Sequence, residues 1–497
     1  MRHYLGIDIG TFESKGVIVD EKGRVVATAA RRHKMLVPKP GWAEHRPKLD
    51  WWGDFTFICR KMLAESGVSP ETIRAVGTSA IGPCMLPVDA DGEALSNAVL
   101  YGVDTRATKE IGELDGAIGA RRILDRCGNA LTSQSVGPKI LWLKRNRPDL
   151  YRNAAKIVTS TTYLVEKLTG ECVIDHYSAA NFSPLYLIDR QGWSGELAPG
   201  IIEMERLPKV VWTTDVAGYV TAKAARATGL AKGTPVIAGT IDAAAEALSV
   251  GVVRPGDMMV MYGSTIFTIM LSKKRIEDAR LWYAPWLFQG EHSSMAGLAT
   301  SGTLTHWFRD VAARELDHGT AFSRLAKEAE ASPAGANGLV MLPYFSGERT
   351  PIHDPHAKGA IFGLNLTHGR GDIYRALLEG IAFGTNHIIE TYREIGHLPR
   401  KLLAVGGGTK NRVWSQATSD VSGLPQTVCS KTIGASYGDA FLAALAVGDV
   451  RRSDILSWNP EERRIAPDRG SRAVYQRQYR TYRQLYDRNR DLVAELG

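Results

Sequence analysis

The sequence has little of what most readily marks a function. Its 497 residues hold five cysteines, Cys59, Cys84, Cys127, Cys172 and Cys429. They are scattered and form no CxxC pair, which argues against both a disulfide framework and a zinc site. No Gly-Lys dipeptide occurs, so there is no P-loop, and no strand pattern leads into a GxGxxG turn. The nearest approach to a hydrolase nucleophile elbow, Gly77-Thr-Ser79-Ala-Ile81, lacks the final glycine. Apolar runs such as Ala440 to Gly448 and Leu339 to Leu342 stop well short of the roughly 20 residues a bilayer span requires, and Met1-Arg-His-Tyr leads straight into a strand pattern with no signal-peptide core. A cytoplasmic protein without a membrane partner is the expectation.

What is present is ordinary for a globular protein: 44% hydrophobic and 23% charged residues. The net charge of +8 could attract a polyanion. Its densest stretches, Lys144 to Arg152 and Arg477 to Arg490, are interleaved with polar and aromatic residues at helical spacing, which fits a solvated surface better than a nucleic-acid site. The chain is too long for one core, so two lobes of roughly 250 residues with a cleft between them are expected, 1–250 and 251–497, with the boundary near Gly251 to Gly256.

The two halves open alike. Tyr4 to Thr11 followed by Lys15 to Asp20 is an apolar strand, a Gly-Thr turn and a second strand; Asp257 to Thr265 followed by Ile266 to Met270 repeats it. Between and after them, helical stretches (Pro47 to Ser66, Lys139 to Asn146, Ala376 to Ile395, Gly438 to Val447) alternate with short apolar strands (Ala75 to Ser79, Lys156 to Thr159, Pro235 to Ala238, Leu402 to Gly406), the rhythm of an α/β domain. Tyr475, Tyr479, Tyr482, Tyr486 and Val493 line one face of a last helix and are expected to pack on the lobe.

Phosphoryl transfer needs donors around phosphates, a metal to neutralise them and a carboxylate to take the proton of the attacking hydroxyl. The first turn offers Asp8, Gly10, Thr11 and Lys15: backbone N–H groups, a hydroxyl and an ammonium for phosphate oxygens, and a carboxylate for magnesium. The second offers Gly263, Ser264 and Thr265, so that two facing turns could clamp a polyphosphate. Gly406-Gly407-Gly408-Thr-Lys-Asn411 leaves no side chains over a strand-to-helix turn, so a flat ligand such as adenosine can lie on it with the Asn411 amide in reach. Asp242, after an apolar strand and at the start of an Ala-rich helix, is either a helix cap or a carboxylate held at the cleft.

With these residues assembled, the chain resembles the FGGY carbohydrate kinases, which share the duplicated, ribonuclease H-like fold of actin and hexokinase. The most specific stretch is Gly359-Ala-Ile-Phe-Gly-Leu364 with Asp372-Ile-Tyr-Arg-Ala-Leu-Leu-Glu379, preceded by Leu342 to Pro351. The resemblance implies that ATP and magnesium are used, that Asp8, Thr11 and Lys15 serve metal and phosphates, and that Ser264 lies beside the β- and γ-phosphates. It further implies that Gly302 borders the nucleotide, that Gly407, Gly408 and Asn411 line the adenosine pocket, and that Asp242 is the catalytic base. Family members are often dimers.

Tyr101-Gly-Val-Asp104-Thr-Arg106 is similar to the substrate-side segment of xylulose kinases, which puts Asp104 and Arg106 near the sugar. Two departures stand beside it. Gly82-Pro83 replaces a Met-His pair that contacts the sugar there, making Pro83 the substrate-side residue, and Ala243 replaces an Asn after the catalytic Asp. A ketopentose such as D-xylulose is the first expectation; another ketose, a tetritol, a pentitol or an aldonate such as gluconate stays open. From a different class, an ATPase switch of the actin and heat-shock fold also stays open, against which the Gly359 to Glu379 signature argues.

Overall fold

The computed structural model describes residues 1–496. Along the chain run β1 (His3–Ile9), β2 (Glu13–Asp20), β3 (Val25–Arg32), α1 (Gly53–Ser66), β4 (Ile73–Ala80), α2 (Val136–Asn146), β5 (Val216–Tyr219), β6 (Pro235–Ile237), β7 (Thr240–Ile241) and α3 (Asp242–Ser249). They are followed by β8 (Asp257–Tyr262), β9 (Ile266–Ser272), β10 (His292–Leu298), α4 (Gly302–Ala312), α5 (Arg370–Glu394), β11 (Lys401–Val405), α6 (Arg412–Ser422), β12 (Gln426–Cys429), α7 (Ala435–Ala446), β13 (Glu461–Ile465) and α8 (Arg472–Ala494). Further helices and short strands connect them.

The chain divides into two compact units. Unit 1 comprises Met1–Val253, Lys273–Ser293 and Ile433–Asn459; unit 2 comprises Arg254–Ser272, Ser294–Thr432 and Pro460–Gly497. The division is therefore discontinuous, where the sequence pattern suggested a single boundary after residue 250. Two segments beyond it, one of them carrying α7, return to unit 1 because their apolar faces are buried there.

Each unit holds a mixed sheet of the same plan. In unit 1 the order is β5-β6-β4-β1-β2-β3, with β7 also paired to β4. β1 is antiparallel to β2 and parallel to β4, β6 is parallel to β4, and β5 is antiparallel to β6. In unit 2 the strands follow β13-β12-β11-β8-β9-β10, and the senses recur: β8 antiparallel to β9 and parallel to β11, β12 parallel to β11, β13 antiparallel to β12. The duplication suggested by the two hairpins is thus a duplication of whole sheets.

Local composition accounts for the packing. Every residue of β1 is buried, as expected for a strand covered on both faces. The Ala-rich helix α7 lies so close to the sheet that a Cβ on Gly6 would sit 1.9 Å from the Ser436 carbonyl oxygen, one on Gly77 2.1 Å from that of Asp439, and one on Gly438 2.0 Å from that of Ala245 in α3. Helix α7 can pack against β1, β4 and α3 only because those positions carry no side chain. In unit 2 the expected aromatic face of α8 is buried: Tyr475, Tyr479 and Tyr482 surround Phe383 of α5 at ring separations of 6.1, 6.0 and 5.5 Å. Truncating Phe383 to Ala there would cost about 3–5 kcal/mol. All five cysteines are free thiols, and no helix among the described residues is long and apolar enough to cross a membrane.

Candidate active site

In unit 1 three strand ends converge. Asp8 lies near the end of β1, opposite Ser79 of β4 and Lys15 of β2, and β7 pairs with β4 through Thr240 and Ser79, so that Asp242 follows directly at the first residue of α3. These are the carboxyl ends of neighbouring parallel strands, the usual place for ligands in open α/β sheets. Asp242 is not the helix cap; Ile241 holds that position without a side-chain bond, and Asp242 Oδ1 accepts only from the N–H of Ala243, at 2.7 Å.

The electrostatics single out the same group. Burial pushes the Asp242 carboxyl up to about 7, with Glu246 adding to the shift and the Ala243 N–H opposing it. Asp8 is held well above the usual carboxylate range by burial and then by the negative charges of Asp242, Asp439 and Glu246, with Lys15 pulling it down. Asp439 of α7 is fully buried and likewise raised, chiefly by burial; the Ser79 hydroxyl donates to its Oδ2 at 2.7 Å and lies 3.4 Å from Asp8 Oδ1. Four carboxyls crowd one end of a sheet, a surplus of negative charge that a cation would relieve.

The turn after β1 is tied back from behind. His33 Nε2 lies 3.0 Å from the Gly10 carbonyl oxygen, His45 Nε2 lies 3.0 Å from that of Thr11, and the His33 N–H donates to that of Phe12 at 3.0 Å. His45 accepts from Trp51 Nε1 at its other nitrogen, so its Nε2 carries the proton, and burial pushes its pKa down to about 4. His33 Nδ1 meets Asp54 at 2.8 Å. With three successive carbonyls held on one side, the N–H groups of Thr11 and Phe12 have no hydrogen-bond partner among the described residues. The Thr11 hydroxyl lies 3.1 Å from that of Tyr101.

The substrate-side residues form a tight cluster in the same unit. Asp104 is fully buried and accepts from the Ala43 N–H at 2.7 Å and from the Arg106 guanidinium at 2.8 to 3.0 Å. Arg106 also pairs with Glu44 at 2.9 Å, and its guanidinium stacks 3.9 Å from the Trp42 ring and 5.1 Å from that of Trp142. Asp104 thus holds Arg106. Lys139, buried, donates to the carbonyls of Leu100 and Tyr101 at 2.5 and 2.9 Å, and burial lowers its pKa to about 8; it pins the start of this loop. Pro83 follows a cis peptide bond, and a Cβ on Gly82 would lie 2.7 Å from Ile241, so the 82–83 turn sits against the strand that delivers Asp242.

Unit 2 contains a cavity of about 550 Å³ lined by Gly263, Ser264, Gly302, Gly407, Gly408 and Asn411, all expected from the sequence, and by Tyr262, Trp414, Phe322 and Tyr374, which were not. Thr265 is not among its lining residues; its carbonyl accepts from the Gly263 N–H at 3.1 Å. This turn repeats the device of the first. The Gly263 carbonyl accepts from the Ser301 hydroxyl and the Gly302 N–H, and the Ser264 carbonyl from the N–H groups of Ser301 and Thr303. The N–H groups of Ser264 and Thr265 are left without a partner among the described residues. A Cβ on Gly302 would lie 2.4 Å from the Gly263 oxygen, so only glycine allows the approach. Gly407–Lys410 forms a 3-10 turn, and Asn411 then caps α6, its Oδ1 accepting from the Trp414 N–H at 3.1 Å, which leaves its Nδ2 for a ligand. Trp414 and Tyr262 meet edge to face at 5.0 Å, giving the cavity an apolar wall suited to a flat ring.

His33, His45, Asp439 and Glu246 carry no motif of their own and were not picked from the sequence; isolated histidines 23 and 34 residues from the carbonyls they approach give no local signal.

Known proteins resemble this chain along nearly its whole length. Residues 3–249 match the N-terminal domain, and residues 258–447 the C-terminal domain, of the FGGY family of carbohydrate kinases. A xylulose kinase of Bacillus subtilis (strain 168) is 28% identical over 501 residues, covering 100% of this chain and 99% of that protein. One of Escherichia coli (strain K12) is 29% identical over 499 residues, covering 99% and 100%. The crystal structure of xylulose kinase from Rhodospirillum rubrum superposes with a TM-score of 0.92 at 32% identity, covering 99% of this chain and 100% of that one.

Proposed function

This chain belongs to the FGGY family of carbohydrate kinases and is an ATP-dependent phosphotransferase acting on a sugar, and from that premise we propose that Asp242 is its catalytic base and a ketopentose such as D-xylulose its acceptor. The observation that carries the first part is the place of Asp242, at the first residue of α3 directly after β7 pairs with β4 at Ser79 and bonded only to the Ala243 N–H; burial there raises its carboxyl to about 7, basic enough to take a proton near neutral pH. Asp242 accepts the proton of a sugar hydroxyl as that oxygen attacks the γ-phosphorus of ATP; the new O–P bond forms, the bond to the β,γ-bridging oxygen breaks, and ADP leaves.

The remaining residues bind and orient. In unit 1 the N–H groups of Thr11 and Phe12, the Thr11 hydroxyl and Lys15 are donors for phosphate oxygens, and Gly10 keeps the turn open. In unit 2 Gly263, Ser264, Thr265 and Gly302 form a second set of phosphate donors, while Gly407, Gly408, Asn411 and the Trp414 wall hold adenosine. Magnesium fits Asp8, whose burial among Asp242, Glu246 and Asp439 favours a cation. Among the described residues no group of three or more acidic, His or Cys side chains could hold a metal ion alone, so water and phosphate oxygens would complete its shell, as is usual for magnesium. The ion would neutralise charge on the phosphates. Asp104 positions Arg106 towards the sugar, and Pro83 lies beside it.

The curated relatives and the Rhodospirillum rubrum structure support a ketopentose. At Pro83 and Ala243 the chain departs from the pattern that the resemblance to xylulose kinases implies, which has a hydrogen-bonding group at each place, so discrimination among acceptors should be weaker. A coupled ADP-release screen over D-xylulose, D-ribulose, tetritols, pentitols and gluconate tests the assignment. D-xylulose is expected to give the highest kcat/KM, with a second acceptor within about tenfold; turnover confined to an aldonate or a polyol would refute it.

A further inference from the structure

Unit 2 carries a second, larger cavity that none of the candidate site residues above lines. Its volume is about 1040 Å³, and it lies between the C-terminal halves of α5 and α6, the segment 466–469 and the first turns of α8.

Three arginines on its wall, Arg469, Arg472 and Arg480, are exposed and have no ion-pair partner among the described residues. The acidic groups beside them are engaged. Glu390 accepts from the Tyr479 hydroxyl at 2.7 Å and pairs with Arg393 and Arg483, while Asp420 accepts from Gln416 Nε2 and from the Asp468 N–H, both at 2.7 Å. Asp468 accepts from the Gly470 N–H at 2.9 Å. Helix α8 begins without a side-chain cap, so orphan N–H groups of its first turn add to the positive field. Independently, Asn386 lines the cavity from α5 and is only 3% exposed, and its Oδ1 is buried with no hydrogen-bond partner. A buried amide oxygen left unsatisfied costs about 1–3 kcal/mol, and a ligand hydroxyl would remove that cost.

We propose that this cavity is a binding site for a phosphorylated sugar or polyol, its phosphate monoester held by Arg469, Arg472 and Arg480 and a hydroxyl of its carbon chain held by Asn386. Guanidinium groups and a helix N-terminus suit a phosphate dianion. An amide suits a hydroxyl, which can donate to Oδ1 and accept from Nδ2. The volume exceeds what inorganic phosphate alone would fill, and it lies at the upper limit of small-molecule sites, about 1,000 Å³. No residue lining this site is among the proposed base and nucleotide residues, and the proposal does not depend on their roles.

The test is isothermal titration calorimetry of the intact protein with ribose 5-phosphate and, separately, inorganic phosphate, in saturating ADP to fill the nucleotide pocket. Ribose 5-phosphate is expected to bind at least tenfold more tightly than phosphate. The exposed double variant Arg472→Ser/Arg480→Ser should lose at least tenfold in that affinity with kcat and both KM values unchanged. Asn386→Leu should lose the preference over inorganic phosphate; should it fail to fold, the arginine variant still decides. Absence of ribose 5-phosphate binding, equal affinity for phosphate, or undiminished binding by the arginine variant would overturn the proposal.

Discussion

Replacing Asp242 by Asn should stabilise the protein while silencing it. A carboxyl with a folded pKa of about 7 and an ordinary value of 3.8 keeps its proton when folded but releases it when unfolded throughout the window between those values. Stability therefore falls as pH rises through that window and is lowest above pH 7. At ~1.4 kcal/mol per pH unit the full window is worth roughly 4 kcal/mol. That is a ceiling, because the side chain retains some solvent access. Asn keeps the acceptor for the Ala243 N–H and carries no charge to bury, so the variant escapes this penalty. Urea unfolding of both proteins at pH 5 and pH 8 reads the effect: the variant's advantage should be about two- to threefold larger at pH 8. An advantage equal at both pH values, or none at pH 8, would show that the carboxyl is not perturbed as described.

The same pKa predicts that kcat/KM of the natural protein declines about tenfold per pH unit below about pH 7 and is flat above it; a flat profile down to pH 5 would count against an ionising base at residue 242. His45→Phe retains a ring beside Trp51 and removes the donor to the Thr11 carbonyl. At ~1 kcal/mol for one hydrogen bond, KM for ATP should rise severalfold with the acceptor KM unmoved, which steady-state kinetics can check. Gly408→Val would bring a Cβ to within 2.4 Å of the Trp414 ring and 2.9 Å of Tyr262. Overpacking of about 1–3 kcal/mol should weaken binding of a fluorescent ADP analogue by one to two orders of magnitude, and unchanged binding would place the adenosine elsewhere.

Much of this was legible because short-range patterns carry it. The two hairpins, the glycine turn at Gly407 and Gly408, and Asp242 between a strand and an Ala-rich helix are each contained within about ten residues, where alternation, turn chemistry and helix starts are decided. Relations set by tertiary packing were not. Nothing near Ala435–Ala446 reveals that it closes on β1 more than 400 positions earlier, although the glycines at 6, 77 and 438 are the trace of that contact. The histidines behind the first turn act through single hydrogen bonds to backbone, which leave no pattern. Asp104 and Arg106 were found together, but that the buried carboxylate serves the guanidinium depends on Trp42 and Glu44 from one distant segment and Trp142 from another.

The most direct measurement of the central claim is turnover of Asp242→Asn with ATP and D-xylulose, alongside its affinity for ADP. Losing a positioned general base should lower kcat by about 10²–10⁴ while the ADP dissociation constant stays within about twofold. Turnover close to that of the natural protein, with nucleotide binding intact, would contradict the account.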